Sequence, residues 1–357
     1  MRGIKTIGAW VLTLCLSLSF MLPVAAAAGT TPAAAKQTAD YLCQTVPNPH
    51  FGEMEGEWLI LGLVRGGYSI PAGYLEGYYD RVEAYVKECQ GILSDRKNTE
   101  YARLSLALTA MGKDPRDVAG YDLLAPLGGK TGTLRQGING PIWALIALDA
   151  GAYPMPTAPE GGVQATREGY VEEILSRQGA DGGWRFGTAG RADPDLTAMA
   201  LMALSGYQDQ QAVKEAVERG VDCLAEIQDP QGGYTSFGSP NAESTAQVVM
   251  ALCSLGISVK DARFAKNGHT LLDVLLSYQQ EDGSFQHTQE GLGSQQMATE
   301  QGFLALTALL RQEQGKTGLF VMSDVVSPGQ DGPIQRVVVL PKGQMPTSFR
   351  VLFPSAA

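Results

Sequence analysis

The sequence predicts an all-α protein built as an α/α toroid, in which a ring of six inner helices stands inside six outer helices. A short apolar segment ending in leucine recurs six times along the chain, and amphipathic stretches long enough for a helix separate the copies. The 357 residues, of which 44% are hydrophobic and 18% charged, can bury a core of this size. These observations favour two concentric rings of helices over a sheet-based fold.

The repeated segments are predicted to be the inner helices. Each is apolar on nearly all sides and rich in Ala, Leu and Met, which is typical of a helix covered by neighbours in every direction. The closing leucines are 45, 40, 56, 48 and 54 residues apart, which leaves room for two helices and two turns in each repeat. The segments are 56–63, 101–108, 141–148, 197–204, 245–252 and 299–306.

The stretches between these segments are predicted to be the outer helices. In 213–227, Val213, Val217 and Leu224 share one side of a helix, while Lys214 and Glu218 fall on the opposite side. A similar candidate occupies 31–47 at the start of the chain. Counted with it, the outer helices number about six and match the inner ones.

A second repeat lies at the joint between an outer helix and the next inner helix. It begins with glutamine, contains glycine and ends in an aromatic residue; its copies are 178–184, 228–234 and 279–285. A glycine that adopts positive φ and an aromatic plug are features of a capped turn that locks one helical hairpin to the next. We favour this structural role. The alternative is that Trp184, Tyr234 and Phe285 line a ligand cavity.

The first 28 residues are predicted to be a secretory signal peptide. Arg2 and Lys5 precede an apolar run over 9–24, and small residues at 25–28 come before Gly29. An uncleaved membrane anchor is the alternative, because the apolar run approaches the length of a membrane span. We therefore expect a secreted or cell-envelope protein, outside the cytoplasmic membrane, with the toroid at 29–318 and a C-terminal tail at 319–357.

Charge and composition exclude several classes of function. The net charge is -10, and it becomes -12 once 1–28 are removed, since that segment holds two cations and no anions. No run of Lys and Arg occurs, so nucleic acid is not an expected partner. Three His and five scattered Cys do not build a multi-His metal centre, and no cofactor is expected.

Four cysteines remain in the exported form: Cys43, Cys89, Cys223 and Cys253. Export permits disulfides, and chain order suggests the first with the second and the third with the fourth. We favour four free thiols, because a core this large does not need covalent staples.

The glutamine-to-aromatic turns, joined to Thr-Ala-rich inner helices, resemble the prenyltransferase and squalene-cyclase repeats of the terpene cyclase superfamily. The resemblance covers roughly 31–325 and is strongest from Gln178 onward. It implies a toroid around an apolar cavity, which some members use to cyclise isoprenoids and others to prenylate proteins; similar toroids serve exported vitamin B12 carriers. The resemblance therefore implies the fold more strongly than it implies any particular activity.

Residues 193–198, Asp-Pro-Asp-Leu-Thr-Ala, are similar to the Asp-x-Asp-Asp-Thr-Ala motif of protonation-initiated cyclases. The resemblance implies that Asp195, with Asp193 beside it, is the acid that protonates an alkene or epoxide, although Leu196 replaces the last Asp of the motif. The same residues also fit a helix start, with Asp193 as N-cap and Pro194 in the first position. A helix N-terminus lowers the pKa of a carboxylate, so only strong burial would make Asp195 a general acid.

Aligning the segments on their leucines places polar residues at the starts of the inner helices. Asn139, Asp195 and Glu243 stand nine residues before a leucine. Nearby are Glu53, Glu55, Glu57, Glu100, Asp193, Asn241, Gln296 and Glu300. If the inner helices run parallel, these side chains ring one acidic mouth of the barrel, with Trp58, Trp143 and Trp184 as its aromatic walls. The alternative is helix capping and dipole compensation.

Three activities of related toroids are not expected. Zinc-dependent protein prenylation needs Asp, Cys and His ligands, but no Asp-x-Cys pair precedes a suitable His in the repeats. The Cys-Gly-Glu-Gln sequence of thioester toroids is absent. Diphosphate substrates need a magnesium-binding Asp cluster or basic side chains, which an acidic mouth does not supply.

Three hypotheses of function follow. The first is an exported toroid that binds an apolar or amphiphilic, isoprenoid-like ligand in its barrel, with Asp195 as acid if there is turnover. The second is a non-catalytic module whose filled barrel presents the acidic rim to a protein partner; a cavity of roughly 300 Å³ or more would favour the first. The third is a glycan-processing enzyme that uses Asp195 and Glu243 as paired carboxylates.

In the tail, 319–326 and 334–340 are rich in β-branched residues and are predicted to be short strands.

Overall fold

A computed structural model describes residues 30–52, 55–187, 189–236 and 238–325. Within these residues there are twelve α-helices, three short 3-10 helices and one hairpin of two-residue strands. The helices are α1 Thr31–Thr45, α2 Glu57–Gly66, α3 Tyr74–Glu88, α4 Asn98–Ala110, α5 Lys130–Leu134, α6 Asn139–Ala150, α7 Arg167–Ser176, α8 Pro194–Leu204, α9 Gln211–Ile227, α10 Ala242–Ser254, α11 Leu271–Leu276 and α12 Gln295–Glu313. The hairpin pairs β1 Thr235–Ser236 with β2 Ser239–Pro240.

The even-numbered helices form a closed inner ring. Each packs against the next even-numbered helix, and α12 returns to pack against α2. All six predicted inner segments lie in these helices, except that Gly56 is the N-cap of α2, and the residues of these helices are buried on nearly every side. The odd-numbered helices lie outside: α9 turns Val213, Val217 and Leu224 towards the core, as its pattern predicts. The predicted α/α toroid of six inner and six outer helices is confirmed.

The glutamines of the repeated turns fasten each repeat to the next one. Gln178 Nε2 donates hydrogen bonds to Gly182 O, within its own turn, and to Ala216 O on α9, both at 2.7 Å. Gln228 Nε2 does the same, at 2.8 Å to its own turn and 2.9 Å to Phe264 O before α11. The predicted structural role is thus carried by a side chain that bridges two repeats.

The third turn closes the ring onto the first helix. Gln279 Nε2 donates to Ala34 O at 2.9 Å and to Thr38 Oγ1 at 2.8 Å, both on α1. Gly283 has a φ of +95° and lies so close to α1 that a Cβ would stand 2.5 Å from Gln37 O. Glycine is required here because both the backbone angle and the contact exclude a side chain.

The aromatic residues of these turns belong to the core. Trp184, Tyr234 and Phe285 are fully buried. Trp184 Nε1 donates to Ile174 O on α7 at 2.7 Å, and its backbone N–H donates to Thr197 Oγ1 on α8 at 2.9 Å. Trp184 therefore joins an outer to an inner helix, and its assignment as an aromatic wall of the mouth is corrected.

The segment after α12 closes the far end of the barrel without forming a strand. Leu319, Phe320 and Met322 are buried, and the Met322 N–H donates to Ala150 O at 2.8 Å. Arg65 on α2 donates to the carbonyls of residues 318, 319 and 321, so these groups are not available for strand pairing. The predicted strand is wrong over 319–325, and the one at 334–340 lies outside the described residues.

Two buried arginines and one aspartate hold this segment in place. Arg65 Nη1 lies 2.7 Å from Asp324 Oδ1, and Arg311 Nη2 lies 2.5 Å from Asp324 Oδ2. Partial burial acts to raise the pKa of Asp324, but the hydrogen bonds from Arg65, Thr317 and Arg311 outweigh it and lower that pKa to about 2. Asp324 therefore stays ionised except at strongly acidic pH, and its ion pairs with Arg65 and Arg311 hold the segment against α2 and α12.

Cys43, Cys89, Cys223 and Cys253 are free thiols, as favoured from the sequence. Among the described helices, none combines the length and apolar character needed to span a membrane. The predicted signal peptide lies outside the described residues.

Candidate functional site

One residue from each inner helix faces a single cavity, here called the mouth cavity. Each stands five residues before the leucine that ends its repeated segment, and each is partly exposed in a helix whose neighbouring residues are mostly buried. The six are Trp58, Arg103, Trp143, Met199, Gln247 and Gln301. With Thr99, Gln136 and Asn139 they enclose about 310 Å³. Because the N-terminal halves of all six inner helices meet here, those helices run parallel.

One side of the mouth cavity is aromatic. The rings of Trp58 and Trp143 lie 5.2 Å apart between centroids, at 46° to one another. Phe320, in the segment after α12, packs edge-on against the Trp143 ring, with 6.0 Å between the ring centroids. Three aromatic rings from α2, α6 and the closing segment therefore form one continuous apolar surface.

Four amide side chains make up much of the remaining wall of the mouth cavity: Gln136, Asn139, Gln247 and Gln301. Gln247 Nε2 donates to Gln301 Oε1 at 2.8 Å, while Gln136 Nε2 donates to Thr99 Oγ1 at 2.9 Å. Two acceptor atoms, Gln247 Oε1 and Asn139 Oδ1, are buried without a hydrogen-bond partner among the described residues. Both oxygens are closed to solvent, so the cavity surface does not present them to a ligand.

The positive charge of Arg103 is balanced by two carboxylates. Its Nε lies 3.3 Å from Glu57 Oε1, and its Nη2 lies 2.5 Å from Glu100 Oε2. Burial raises the pKa of Glu57, which is only 1% exposed, although Arg103 acts in the opposite direction. The mouth cavity therefore offers no uncommitted cation to an anionic ligand.

A further carboxyl group, that of Glu300, is buried beside Gln301. Glu300 is 3% exposed and accepts a hydrogen bond from Gln296 Nε2 at 3.2 Å. Burial raises its pKa to about 8, reinforced by the charges of Glu57 and Glu55. Glu300 is therefore largely protonated at neutral pH, and it contributes little negative charge to this end of the barrel.

Asp193 has the structural role that the helix-start interpretation gives it. Its Oδ1 accepts from the Leu196 N–H at 2.9 Å as the N-cap of α8, and its Oδ2 accepts from Ser236 Oγ at 3.2 Å. Each oxygen thus accepts a hydrogen bond that stabilises the start of α8 or its contact with the hairpin. The structure shows Asp193 as the N-cap of α8, and its part in catalysis stays a prediction.

Asp195 lies at the rim of the mouth cavity, one helical turn before Met199 on the same side of α8. Burial raises its pKa to about 6, opposed by hydrogen bonding from Ser244 and aided by the charge of Asp193. Its Oδ1 is buried without a hydrogen-bond partner among the described residues. Burial thus outweighs the helix N-terminus, which is the condition under which Asp195 can be an acid.

Glu243 occupies the equivalent rim position on α10, one turn before Gln247. Burial raises its pKa, and His287, whose Nδ1 lies 2.7 Å from Glu243 Oε2, acts against this rise. His287 lies between the third turn and α12, and no sequence pattern singled it out. Within the described residues, no group of three or more His, Cys, Asp or Glu side chains could hold a metal ion.

The structure brings most of the sequence-derived candidates to one end of the barrel. Trp58, Trp143 and Asn139 line the mouth cavity. The others stand behind its wall or at the rim: Glu100, Asp195, Glu243, Gln296 and Glu300. Of the nearby acids and amides, Asn241 is the N-cap of α10, and Glu53 lies outside the described residues.

Sequence reasoning missed five residues of the cavity wall: Arg103, Gln136, Met199, Gln247 and Gln301. A signal for four of them was present. Like Trp58 and Trp143, Arg103, Met199, Gln247 and Gln301 stand five residues before the leucine of their segment. Comparing this position across all six segments, and looking for residues less apolar than their neighbours, would have found them. Gln136 precedes α6 and has no such register.

A family model for the prenyltransferase alpha-alpha toroid domain matches residues 142–235 and 196–314. Together these matches span 142–314, the part of the chain in which the repeated turns occur. No curated protein matches the chain in sequence.

Three solved structures are similar to the chain. Protein geranylgeranyltransferase-I of Candida albicans, in complex with GGPP, matches with a TM-score of 0.53 and 11% identity, covering 80% of this chain and 94% of its own. The unsaturated glucuronyl hydrolase of Bacillus sp. GL1 has a TM-score of 0.46 at 13% identity over 84% and 99% of the two chains. A protein from Actinoplanes has a TM-score of 0.45 at 15% identity over 79% and 99%. Together with the family model, the first of these shows that the chain has a prenyltransferase- and terpene-cyclase-like α/α toroid fold.

Proposed function

We propose that the mouth cavity binds a small amphiphilic ligand of isoprenoid-like size. The observation that carries this proposal is the ring of six partly exposed side chains, one from each inner helix at the same register. Core packing alone gives no reason for these six positions to stay open while their neighbours are buried. The similarity to a toroid that binds GGPP makes a ligand with an isoprenoid chain the natural first candidate.

The chemistry of the wall sets the character of this ligand. Trp58, Trp143 and Met199 offer an apolar surface, and the amide side chains offer hydrogen bonds. A volume of about 310 Å³ equals that of about ten water molecules in the liquid. This favours a short prenyl chain with a hydroxyl group over a long prenyl diphosphate, whose charge would also find no free cation.

A second candidate function, protonation of a bound alkene, rests on Asp195. A carboxyl group with a pKa of about 6 and an unpartnered buried oxygen is suited to donating its proton. In such a step the Asp195 proton goes to one alkene carbon and leaves a carbocation at the other. The Asp195 carboxylate then accepts a different proton from the carbocation, which gives an isomerised or cyclised product and restores the acid. Turnover should fall as pH rises through about 6, because the acid form is lost.

The proposal includes export, which the composition of residues 1–28 favours. N-terminal sequencing of the protein recovered outside the cells would be expected to begin near Gly29. The competing hypothesis, a filled barrel with an acidic docking rim, is disfavoured by the open cavity but shares the same rim residues. It would be supported by a barrel that takes up no small molecule.

Tryptophan fluorescence tests the binding proposal directly, because Trp58 and Trp143 line the cavity while Trp184 does not. Titration with farnesol should give a saturable change in emission in the unmodified chain. Trp58→Ala should weaken binding about tenfold, since it removes a buried aromatic contact worth roughly 1.5 kcal/mol. Trp184→Phe, the matched control, should leave the affinity unchanged. Absence of a saturable response would refute the binding proposal.

Product analysis tests the second candidate. The chain is incubated with farnesol at pH 5, and the extract is examined by gas chromatography with mass detection. Asp195→Asn should abolish any isomerised product, whereas Asp193→Asn, which keeps an N-cap side chain, should retain it. Equal product from Asp195→Asn and the unmodified chain would exclude Asp195 as the acid.

A further inference from the structure

We infer that Phe320 is a specificity-determining residue, whose ring forms the floor of the mouth cavity and limits the length of the prenyl chain that the cavity accepts. This inference rests on the proposed function and names the part of the structure that selects among prenyl alcohols of different length. A second cavity lies at the far end of the barrel, and the Phe320 ring stands between the two cavities.

The second cavity, here called the far-end pocket, holds about 350 Å³ and lies where the inner helices end. Its wall includes residues from the ends of α8 and α10 and from the segment that follows α12. Apolar or small side chains make up much of this wall: Ile146, Met202, Ala203, Cys253, Ala308 and Phe320. The far-end pocket is thus similar in size to the mouth cavity and has room for a further length of apolar chain.

The two cavities are stacked along the same inner helices. On α6, Trp143 lines the mouth cavity and Ile146 lines the far-end pocket; on α8, Met199 and Met202 have the same relation. Three residues of α-helix rise by about 4.5 Å, so less than one helical turn separates the two walls on these helices. A prenyl chain that passed between them would reach roughly twice the space of the mouth cavity alone.

The Phe320 ring belongs to the partition between the two cavities. It lines the far-end pocket, and it packs edge-on against Trp143, which lines the mouth cavity, with 6.0 Å between the ring centroids. Phe320 is 9% exposed, so most of its surface is covered by neighbouring groups. In this position the ring stops a methyl-branched prenyl chain that enters from the mouth.

The polarity of the mouth cavity orients a prenyl alcohol with its chain towards Phe320. Thr99 and Asn139 belong to the first turns of α4 and α6, and Gln136 precedes α6, so these polar groups lie at the outer end of the cavity. Trp143 lies one turn deeper on α6 and contacts Phe320. The hydroxyl group therefore stays at the polar outer end, and each added isoprene unit extends towards the partition.

The backbone at residue 320 is held by contacts that do not involve its ring. Arg65 donates to the carbonyl groups immediately before and after Phe320, and the Met322 N–H donates to Ala150 O. A shorter side chain at position 320 therefore opens the partition while the segment keeps its place against α2 and α6.

The affinities for farnesol and for geranylgeraniol, which is one isoprene unit longer, test this inference in the full chain. Each alcohol is titrated below its solubility limit, and the midpoint of the change in tryptophan emission gives the affinity. In the unmodified chain we expect geranylgeraniol to bind no more tightly than farnesol, because its additional unit stays exposed at the mouth. In Phe320→Ala it should bind about tenfold more tightly than farnesol, because that unit is then buried in the far-end pocket.

Further variants separate the opening of the partition from a mere loosening of the segment. Leu319→Ala is the matched control, because Leu319 is buried in the same segment and is not among the residues that line either cavity; it should leave the ratio of the two affinities unchanged. Phe320→Ala combined with Ala308→Phe refills the far-end pocket and should abolish the preference for geranylgeraniol. Phe320→Leu, a smaller change in the core, should give an intermediate preference and serves if Phe320→Ala does not fold.

The outcomes separate this inference from the proposed function. Phe320 is not the floor if farnesol binds saturably but Phe320→Ala shows no preference for geranylgeraniol, or if the unmodified chain already has the preference of Phe320→Ala. The same holds if Ala308→Phe leaves the preference of Phe320→Ala intact. In each of these cases the binding of prenyl alcohols stands. If neither alcohol binds saturably to the unmodified chain, the proposed function itself is refuted.

Discussion

Replacing Glu300 with glutamine should stabilise the protein, and the gain should grow with pH. Glu300 is 3% exposed on α12 and accepts a hydrogen bond from Gln296. Burial raises its pKa from 4.5 to about 8. Because the folded state holds this proton more tightly than the unfolded chain, the stability it contributes is complete below pH 4.5 and is lost as pH rises through 8. Gln has nearly the same shape and cannot ionise, so Glu300→Gln escapes this loss.

The size of the effect follows from the difference between the two pKa values. One pKa unit corresponds to about 1.4 kcal/mol, so a rise from 4.5 to about 8 is worth at most about 5 kcal/mol. The expected gain for Glu300→Gln is near zero at pH 4, about 3 kcal/mol at pH 7 and constant above pH 9. These values are upper bounds, because the folded state can relax around the charge.

Urea unfolding at pH 4, 5.5, 7 and 9, followed by far-ultraviolet circular dichroism, measures this gain. Glu313→Gln on the same helix is the matched control, since Glu313 is exposed. A difference between Glu300→Gln and the unmodified chain that stays flat from pH 4 to 9 would refute a raised pKa. A loss of stability at pH 9 would mean that ionised Glu300 has a favourable role here.

Three further substitutions test contacts that hold the toroid together, each read from the urea midpoint at neutral pH. Asp193→Ala should cost about 0.5 to 2 kcal/mol by removing the N-cap of α8, and Asp193→Ser should recover most of it. Gln228→Leu should cost about 2 kcal/mol, because it leaves two carbonyl groups without their donor. Asp324→Ala should cost about 2 to 3 kcal/mol by leaving Arg65 and Arg311 buried without a counter-charge; this is below the usual range because Asp324 is 36% exposed. A midpoint unchanged in any of the three would show that the contact contributes nothing net.

The architecture was predictable because the repeat carries it. Each leucine-ended segment is apolar on nearly all sides and must therefore be covered by neighbours in every direction. Six such segments, separated by amphipathic helices, can all be buried as an inner ring surrounded by an outer one, and few other arrangements achieve this. The repeated glutamine marked each joint correctly, although its target could not be predicted. Gln178 reaches Ala216 and Gln279 reaches Ala34, and these partners depend on which outer helix comes to lie beside each turn.

The tail prediction failed for a reason that local sequence does not contain. β-branched residues at 319–326 favour extended backbone, but a strand also needs a partner. Arg65, far away in sequence, supplies donors to three carbonyl groups of the segment, and Phe320 gains an aromatic contact with Trp143. Two long-range interactions therefore decide the conformation, and neither has a periodic pattern that would predict it.

In the candidate site too, the sequence predicts where a residue stands in its helix but not which groups surround its side chain. The leucine alignment correctly placed Asp195 and Glu243 at the starts of inner helices. It could not predict that burial would raise the pKa of Asp195 to about 6, because the groups that surround this carboxyl, Ser244 on α10 and Ser236 on the hairpin, come from the next repeat. A helix N-terminus, considered alone, lowers a carboxylate's pKa. Desolvation by a neighbouring repeat reverses that direction, so the same aspartate is a helix-stabilising residue by sequence and a candidate acid only in the assembled ring.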